Sequence, residues 1–445
     1  MHMTSKFTEG AILLPLLKFV LPVLFALFLQ SMYGAIDLLV IGQFSDSANV
    51  SAVSTGAQVM LAVTTLINAF AMGTTICIGQ AIGNEDKNRT LGIVGSSIVL
   101  FGAIGLVMTF LIPMFAEQAS VVMQAPPEAL SGTADYIAIC GFGSLPLVAY
   151  NLFSSVFRGI GDSRTPLITV AIACICNIVG DLWMVIGMEM GASGVALATV
   201  IAQTVSVVIS CAMARNHPAL NGFTRKYINA NGSLIRCMTS LGLPIALQDL
   251  LVSISFLVIL GIINSLGLVA SAGGGVAEKL CVFIMLVPAA FMQSMSAFVA
   301  QNYGASKLDR ARKALFYGIG VSTIFGISMF FLSYFYGKQL SAIFSADTDV
   351  LVASAEYLRA YAIDCLLTCF LFCFIGYFNG LGRTRFVMVQ GIVGAFFVRI
   401  PVALWMSRQD WVTLFHIGLA TPCSTAVQIM LCLSLFYVLR RSQEA

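Results

Sequence analysis

Charge is what this sequence has least of. Charged residues make up 10% of the 445 residues and hydrophobic residues 59%, and the mean hydropathy is +0.94. A soluble domain carries about 25% charged residues, because its water-exposed surface needs them. The composition therefore excludes a soluble globular protein and predicts a chain that folds in the hydrocarbon layer of a membrane.

Metal-binding and catalytic motifs are also scarce. The chain has three histidines, and none of its twelve cysteines belongs to a CxxC pair, which argues against a disulfide framework or a structural zinc site. Cys365, Cys369 and Cys373 share one helix face, where they are interpreted as packing residues, with a soft-metal site as the alternative. The motifs GxxxxGK[ST], HExxH and GxSxG are missing. We therefore expect no cofactor, no resident metal and no enzymatic activity.

Long apolar runs recur along the whole chain. A helix of about 20 apolar residues is long enough to cross the bilayer. The first run is too long for a signal peptide and lacks a cleavage pattern, so it should remain as a span. The sequence thus predicts an all-α membrane protein with twelve transmembrane helices, near residues 16–42, 52–81, 91–115, 132–157, 166–188, 192–213, 238–266, 272–300, 313–337, 353–377, 386–407 and 411–438.

Basic residues are distributed unevenly between the connections. Eighteen of the 23 Lys and Arg residues, Lys6 and Arg158 among them, fall at the termini and in the even-numbered connections. Only Lys338 and Arg408 fall in the odd-numbered ones. Because cytoplasmic loops are enriched in Lys and Arg, both termini are predicted to face the cytoplasm.

An internal repeat is visible at an offset of 221 or 222 residues. The matching segments are Leu21-Pro22 with Leu243-Pro244, Gln80–Gly83 with Gln301–Gly304, Tyr136 with Tyr357, and Phe157–Gly161 with Phe378–Gly382. The repeat predicts an amino-terminal lobe over 1–214, a cytoplasmic linker over 215–236 and a carboxyl-terminal lobe over 237–445. Each half has an even number of spans, so the two six-helix bundles should be related by a pseudo-twofold axis along the membrane normal. Parallel repeats of this kind are typical of secondary transporters, whose central site lies between the halves.

Four oxygen-bearing side chains cluster in the first half. Asn177 and Asp181 in span five are four residues apart and share a helix face. Asp37 in span one and Thr199 in span six lie at a similar depth, roughly 8–16 Å below the outer ends of the spans for the whole set. Two neighbouring carboxylates in a low dielectric would share a proton or a cation. The second half lacks these carboxylates at the matching positions. A polar network that only holds three helices together is the alternative.

The second half carries a different set of polar and adaptable side chains within its spans. We consider them candidates for a substrate cavity: Asp249, Glu278, Met285, Met292, Asp364 and Arg399. Arg399 has a competing structural interpretation, an ion pair with Asp364 or Asp249, because a buried guanidinium needs a partner. Glu278 has one as well, since it could extend to the membrane interface.

At this point the chain resembles a known family over essentially its full length. The segments that carry the resemblance are QSMYGAIDLLVIGQF at 30–44, FRGIGDSRTP at 157–166 and FVAQNYGASKLDRAR at 298–312. They are similar to the multidrug and toxin extrusion (MATE) family, and most similar to its DinF-like branch. The resemblance implies a cation site and a bend of span one at a proline, here Pro22. The matching cation-site positions are Asp37, Asn177, Asp181 and Thr199.

Two departures separate the chain from the NorM-like branch of that family. Val252 stands near the position of that branch's glutamate in span seven, and Asp364 lies about a turn from its span-ten aspartate. A second-lobe cation site of the NorM type is therefore not expected.

The resemblance implies an antiporter in the plasma (inner) membrane of a prokaryote. It would exchange H⁺ or Na⁺ for organic cations and other amphipathic drugs or toxins, as a monomer in contact with lipid and without a nucleic-acid partner. The alternative is a flippase or exporter of lipid-linked oligosaccharide or another amphipathic metabolite in the same superfamily. The excess of acids over bases within the spans favours cationic cargo. A major-facilitator-type transporter is disfavoured, because the connection GQAIGNEDKNRT after span two lacks that group's acid–arginine signature.

Overall fold

The computed structural model describes residues 7–444, so Lys6 of the charge count lies outside them. Eleven helices are long and apolar enough to cross a membrane, and a pair of shorter helices bent by 55° forms a twelfth span. The described chain contains no β-strand. The prediction of an all-α membrane protein is confirmed. The spans are α1 Leu13–Phe44, α2 Ser47–Gly83, α3 Lys87–Met114, α4 Leu130–Phe142 with Ser144–Ile160, α5 Arg164–Gly187, α6 Gly191–Arg215, α7 Gly232–Asn264, α8 Leu268–Gly304, α9 Leu308–Phe335, α10 Thr348–Gly380, α11 Thr384–Ser407 and α12 Leu414–Arg441.

Several spans depart from a regular α-helix. α5 ends in a π-helical turn over Leu182–Gly187, and α11 contains another over Val393–Arg399. α8 changes direction locally at Met285, between Leu268–Ile284 and Leu286–Gly304. Isolated π-helical turns widen a helix by one residue and are frequent at functional sites. Short helices between the spans are Ala116–Val122, Pro218–Leu220, Arg225–Tyr227 and Gly337–Ser341.

Aspartate side chains begin three of the spans. The carboxylates of Asp46 and Asp86 accept hydrogen bonds of 2.9 Å from the backbone N–H groups of Asn49 and Arg89. Asp347 does the same at the start of α10. These bonds satisfy backbone donors that the first helical turn leaves unpaired, which defines where α2, α3 and α10 begin.

The chain divides into two compact units. The amino-terminal unit comprises Lys18–Ala246 with residues 7–9 and Gly304–Ser306; the carboxyl-terminal unit comprises Gly10–Leu17, Leu247–Tyr303 and the chain from Lys307 onward. The division falls inside α1 and α7, close to the repeat-related prolines Pro22 and Pro244.

The amino-terminal unit buries two apolar clusters. One lies between α2, α3 and α4 and includes Ile78, Phe101 and Leu152. The other lies between α1, α2, α4 and α6. The segment predicted as a linker packs on the first cluster through Phe223 and Tyr227, whose rings stack at 6.0 Å. Residues 215–236 are thus held against the amino-terminal unit.

The bend of α4 falls at Gly143. A Cβ atom at this position would overlap the side chain of Val200 on α6. Glycine therefore allows α4 to bend and to approach α6 closely. This contact places the Tyr136 side of α4 next to α1 and α6, where the first candidate site lies.

The carboxyl-terminal unit buries one large cluster among α7, α8, α10 and α12, which includes Ile259, Leu280, Leu358 and Ile417. α8 and α10 approach closely at Gly376, where an ideal Cβ would lie 2.5 Å from the backbone oxygen of Met292.

Candidate functional site

The first candidate site begins at a close contact between α5 and α6. An ideal Cβ on Gly180 would lie 3.0 Å from the Cβ of Ala198, so the two backbones run side by side. The neighbouring side chains meet as a result. The Asn177 amide donates to the Thr199 hydroxyl at 3.4 Å, and Asp181 lies one turn further along α5 on the same face.

Asp37 of α1 completes this group. Its side chain interacts with those of Asp181, Asn177 and Thr199. Asp37 is 3% exposed, while Asn177 and Asp181 are fully buried. The structure therefore brings together all four side chains that the sequence places at a common depth, and it puts two carboxyl groups in direct contact away from bulk water.

Most oxygens in this cluster have no hydrogen-bond donor. Among the described residues, Asp37 Oδ1, both carboxyl oxygens of Asp181 and Asn177 Oδ1 are buried without a partner. Buried polar atoms are normally paired, and two adjacent carboxylates repel each other in a low dielectric. A shared proton, or a small cation held by these oxygens, satisfies both requirements. The described chain has no group of three or more His, Cys, Asp or Glu suited to a metal ion, so the ligand set is two carboxyls, an amide oxygen and a hydroxyl.

Further polar side chains surround Asp37. Tyr33, Tyr136, Cys140 and Cys174 all lie within electrostatic range of its carboxyl group. Tyr136 is buried against Gly56, where a Cβ would lie 2.5 Å from the tyrosine ring. The sequence analysis did not assign these residues to the site. Two signals were present, since Tyr33 lies one turn before Asp37 and Tyr136 is an anchor of the repeat.

Arg399 is the buried charge of the carboxyl-terminal unit, and it is 5% exposed. Its Nη1 donates to the Ser255 hydroxyl at 3.0 Å, and the guanidinium lies 4.1 Å from the centre of the Phe256 ring. Asp364 is near enough for its charge to act on Arg399, but it accepts from Thr368 at 3.2 Å. Within the described residues, Arg399 forms no ion pair with Asp364 or Asp249. The π-helical turn that ends at Arg399 directs it to α7 instead.

The other candidates of this half are placed differently. Glu278 is exposed, and Met285 and Met292 are half-buried. Tyr357 lies within electrostatic range of Arg399, Glu278 and Asp364, so these three share one region of the unit. Asp249 on α7 is half-buried and stands apart from them.

Comparison with known proteins follows from this geometry. A family model described as MatE matches the chain twice, over residues 22–183 and 244–405. The chain belongs to the MatE family. It is 24% identical over 435 residues to the "Probable multidrug resistance protein YoeA" of Bacillus subtilis (strain 168), covering 96% of this chain and 94% of YoeA. It is 23% identical over 405 residues to the "Multidrug export protein MepA" of Staphylococcus aureus (strain MSSA476), covering 90% and 88%.

Solved structures show the same MatE fold. The "Crystal structure of MATE in complex with MaD3S" matches with a TM-score of 0.90 at 16% identity, covering 99% of both chains. At this identity the likeness establishes the architecture only. The predicted resemblance to the multidrug and toxin extrusion family is confirmed, and the protein is a transporter of the membrane rather than a member of an enzyme family.

The two MatE matches also confirm the internal repeat. They begin at Pro22 and Pro244 and have the same length, so the displacement between them is 222 residues, as in the self-comparison. Asp37, Asn177 and Asp181 lie within the first match. The cluster of carboxyls therefore belongs to one copy of a duplicated unit and not to both.

Pro22, the predicted hinge, lies inside a continuous helix. α1 runs from Leu13 to Phe44 through this residue, which is half-buried. Because proline has no N–H, the carbonyl of Lys18 loses its helical hydrogen bond. α1 is weakest at this turn, 15 residues before Asp37, and a hinge role for Pro22 stays a prediction.

Proposed function

We propose that this MatE protein is a cation-coupled antiporter that exports organic cations and other amphipathic drugs or toxins from the cytoplasm. The coupling ion is H⁺ or Na⁺, and it binds at Asp37, Asn177, Asp181 and Thr199. The observation that carries the proposal is the direct contact of two buried carboxyl groups whose oxygens have almost no donors.

The names of relatives support the export part of this proposal. YoeA is named a probable multidrug resistance protein and MepA a multidrug export protein. Each resembles this chain over about nine-tenths of its length or more. A drug-exporting member of the family in a prokaryotic plasma membrane, working as a monomer with both termini in the cytoplasm, is consistent with these relatives.

Coupling follows from the chemistry of the cluster. When a proton or Na⁺ sits between Asp37 and Asp181, the repulsion between the carboxylates is relieved and α1 is drawn toward α5 and α6. When the cation leaves, the pair carries excess negative charge and the helices separate. A change in α1 centred on Pro22 would alter the interior of the same unit, so cation and cargo would favour different conformations. Each would then reduce the affinity for the other.

Efflux from vesicles tests this assignment. We expect Asp37→Asn and Asp181→Asn each to reduce gradient-driven efflux of a fluorescent aromatic cation at least about tenfold, which is within the range of typical coupling free energies. The reason is that an amide cannot exchange the proton or hold the cation. A Na⁺ gradient at constant pH and a pH gradient in Na⁺-free buffer, imposed separately, identify the ion.

Asp135→Asn is the matched control, because Asp135 is an exposed acid on α4 of the same unit. All variants are compared at equal expression and with a single peak in size-exclusion chromatography. Full efflux by both site variants under either gradient would contradict the proposal and make the cluster structural.

The alternative is export of a lipid-linked oligosaccharide or another amphipathic metabolite. Arg399 favours it, because a buried guanidinium is suited to an anionic headgroup. A transporter of that kind would leave cationic dyes in the vesicle and would lose transport of an anionic lipid in Arg399→Ala. Competition between the two kinds of cargo, measured in the same vesicles, separates the alternatives.

A further inference from the structure

Two cysteines on different helices lie next to each other in the amino-terminal unit. Cys77 of α2 and Cys237 of α7 have their sulfur atoms 2.9 Å apart. A disulfide bond is about 2.05 Å long, so a shift of less than about 1 Å would join them. Both are free thiols, Cys77 buried and Cys237 half-buried.

Glycines explain why these cysteines meet. An ideal Cβ on Gly73 of α2 would lie 2.6 Å from the backbone nitrogen of Gly242, and a Cβ on Gly242 would overlap the carbonyl oxygen of Phe70. The helices therefore touch backbone to backbone. Cys77 and Cys237 lie about one turn from this crossing, which keeps their Cα atoms close enough for a disulfide without rearrangement of the backbone.

The surroundings of the pair favour thiol chemistry. The guanidinium of Arg89 at the start of α3 interacts with the Cys237 sulfur. Cationic neighbours favour the thiolate, which is the form that attacks an oxidant or a disulfide. Thr74 donates to the sulfur of Met238 at 3.4 Å, so the same contact holds α7 in register with α2.

We infer that Cys77 and Cys237 form an oxidisable dithiol that closes into a reversible disulfide between α2 and α7. With hydrogen peroxide as the oxidant, the Cys237 thiol becomes a sulfenic acid and releases one water. The Cys77 thiol then attacks the sulfenic sulfur and releases a second water. Two thiols and one peroxide yield one disulfide and two waters, and a thiol reductant reverses the reaction.

The disulfide would limit the movement of α7. This helix starts in the amino-terminal unit and continues in the carboxyl-terminal unit, so a bond at Cys237 fixes its first turns to α2. This consequence rests on the proposed function: if efflux requires α7 to move against α2, oxidation slows efflux and reduction restores it.

The bond can be detected in the full-length protein. A protease site is inserted between Asn229 and Ala230, in an exposed stretch of the linker between the two cysteines. After treatment with hydrogen peroxide, alkylation and cleavage, we expect the two fragments to stay together on a non-reducing gel and to separate with dithiothreitol. Cys77→Ser and Cys237→Ser should each abolish the linkage, whereas Cys211→Ser on α6 should preserve it. Separate fragments after oxidation of the wild-type sequence, or a linkage that survives in Cys77→Ser, would overturn the dithiol.

Efflux of the aromatic cation is then measured before oxidation, after oxidation and after reduction. We expect a loss of at least about fivefold on oxidation, the lower end of typical coupling effects, full recovery on reduction, and no change in Cys77→Ser. Linked fragments with unchanged efflux would overturn the control of transport. A reduced protein that moves no cargo would instead contradict the proposed function and leave the gel result as the test of the dithiol.

Discussion

Buried charged side chains occur in both units, but their surroundings differ. Arg158 of α4 is buried and donates to the Asn68 side chain at 3.0 Å. Arg399 has a hydroxyl and an aromatic ring as neighbours. Asp37 and Asp181 face each other with almost no donors. Arginine is thus stabilised by its neighbours, whereas the carboxyl pair depends on a bound proton or cation, which is what distinguishes a binding site from a structural contact.

Arg399→Ala should destabilise the protein by roughly 2–3 kcal/mol, because it removes a buried hydrogen bond and a cation–π contact. The measurement is the thermal midpoint in detergent, which we expect to fall by several degrees. Arg399→Lys should recover little, since an ammonium group cannot lie flat against the Phe256 ring. Arg385→Ala is the matched control on the same helix, because Arg385 is exposed. An equal midpoint for the two alanine variants would show that Arg399 does not stabilise the unit.

At the scale of helices, glycine decides which spans can touch. α5 and α6 approach at Gly180, α2 and α7 at Gly73 and Gly242, and α8 and α10 at Gly376. Small residues allow close packing of helix backbones in a membrane, where van der Waals contact is a main source of association. The first of these contacts builds the carboxyl cluster and the second places the two cysteines together.

Gly242→Ala should therefore destabilise the protein by about 1–3 kcal/mol, because the new methyl group overlaps the carbonyl of Phe70 and forces α2 and α7 apart. Gly261→Ala on the same helix has no atom within 4 Å of the added Cβ, and should leave the thermal midpoint unchanged or raise it slightly, since alanine favours the helix. A Gly242→Ala protein as stable as Gly261→Ala would show that the helices can move apart at no cost.

At the scale of the whole molecule, the distribution of basic residues bears on orientation. The structure modifies the sequence-based count at one position. Arg158, which the sequence assigns to a cytoplasmic connection, is buried inside α4, because its guanidinium pairs with Asn68. Lys338 and Arg408 remain the only basic residues assigned to the opposite side, so the asymmetry is retained.

Reporter fusions test this orientation. A green fluorescent protein fused at the carboxyl end should fluoresce, since that domain folds in the cytoplasm. An alkaline phosphatase inserted between α9 and α10, near Phe344, should be active, because the enzyme needs the oxidising outer compartment. Active phosphatase at the carboxyl end together with inactive phosphatase near Phe344 would reverse the predicted orientation.

Much of this protein is predictable from composition and periodicity. Apolar runs of bilayer length predict the twelve spans, because no other structure satisfies the backbone in hydrocarbon. Duplication is visible at a constant offset, and the double match of the family model confirms it. Asn177 and Asp181 share a helix face by spacing alone, and depth along the spans is enough to associate them with Asp37 and Thr199.

Contacts across helices were decided only by tertiary packing. The pairing of Cys77 with Cys237, the position of Tyr136 beside Asp37 and the choice of Ser255 over a carboxylate by Arg399 depend on which helices touch and on how each is rotated. Glycine contacts and π-helical turns set both quantities, and neither leaves a periodic signal in the sequence. Hydropathy reports how deep a residue lies, whereas the packing of neighbouring helices determines which side chain it meets.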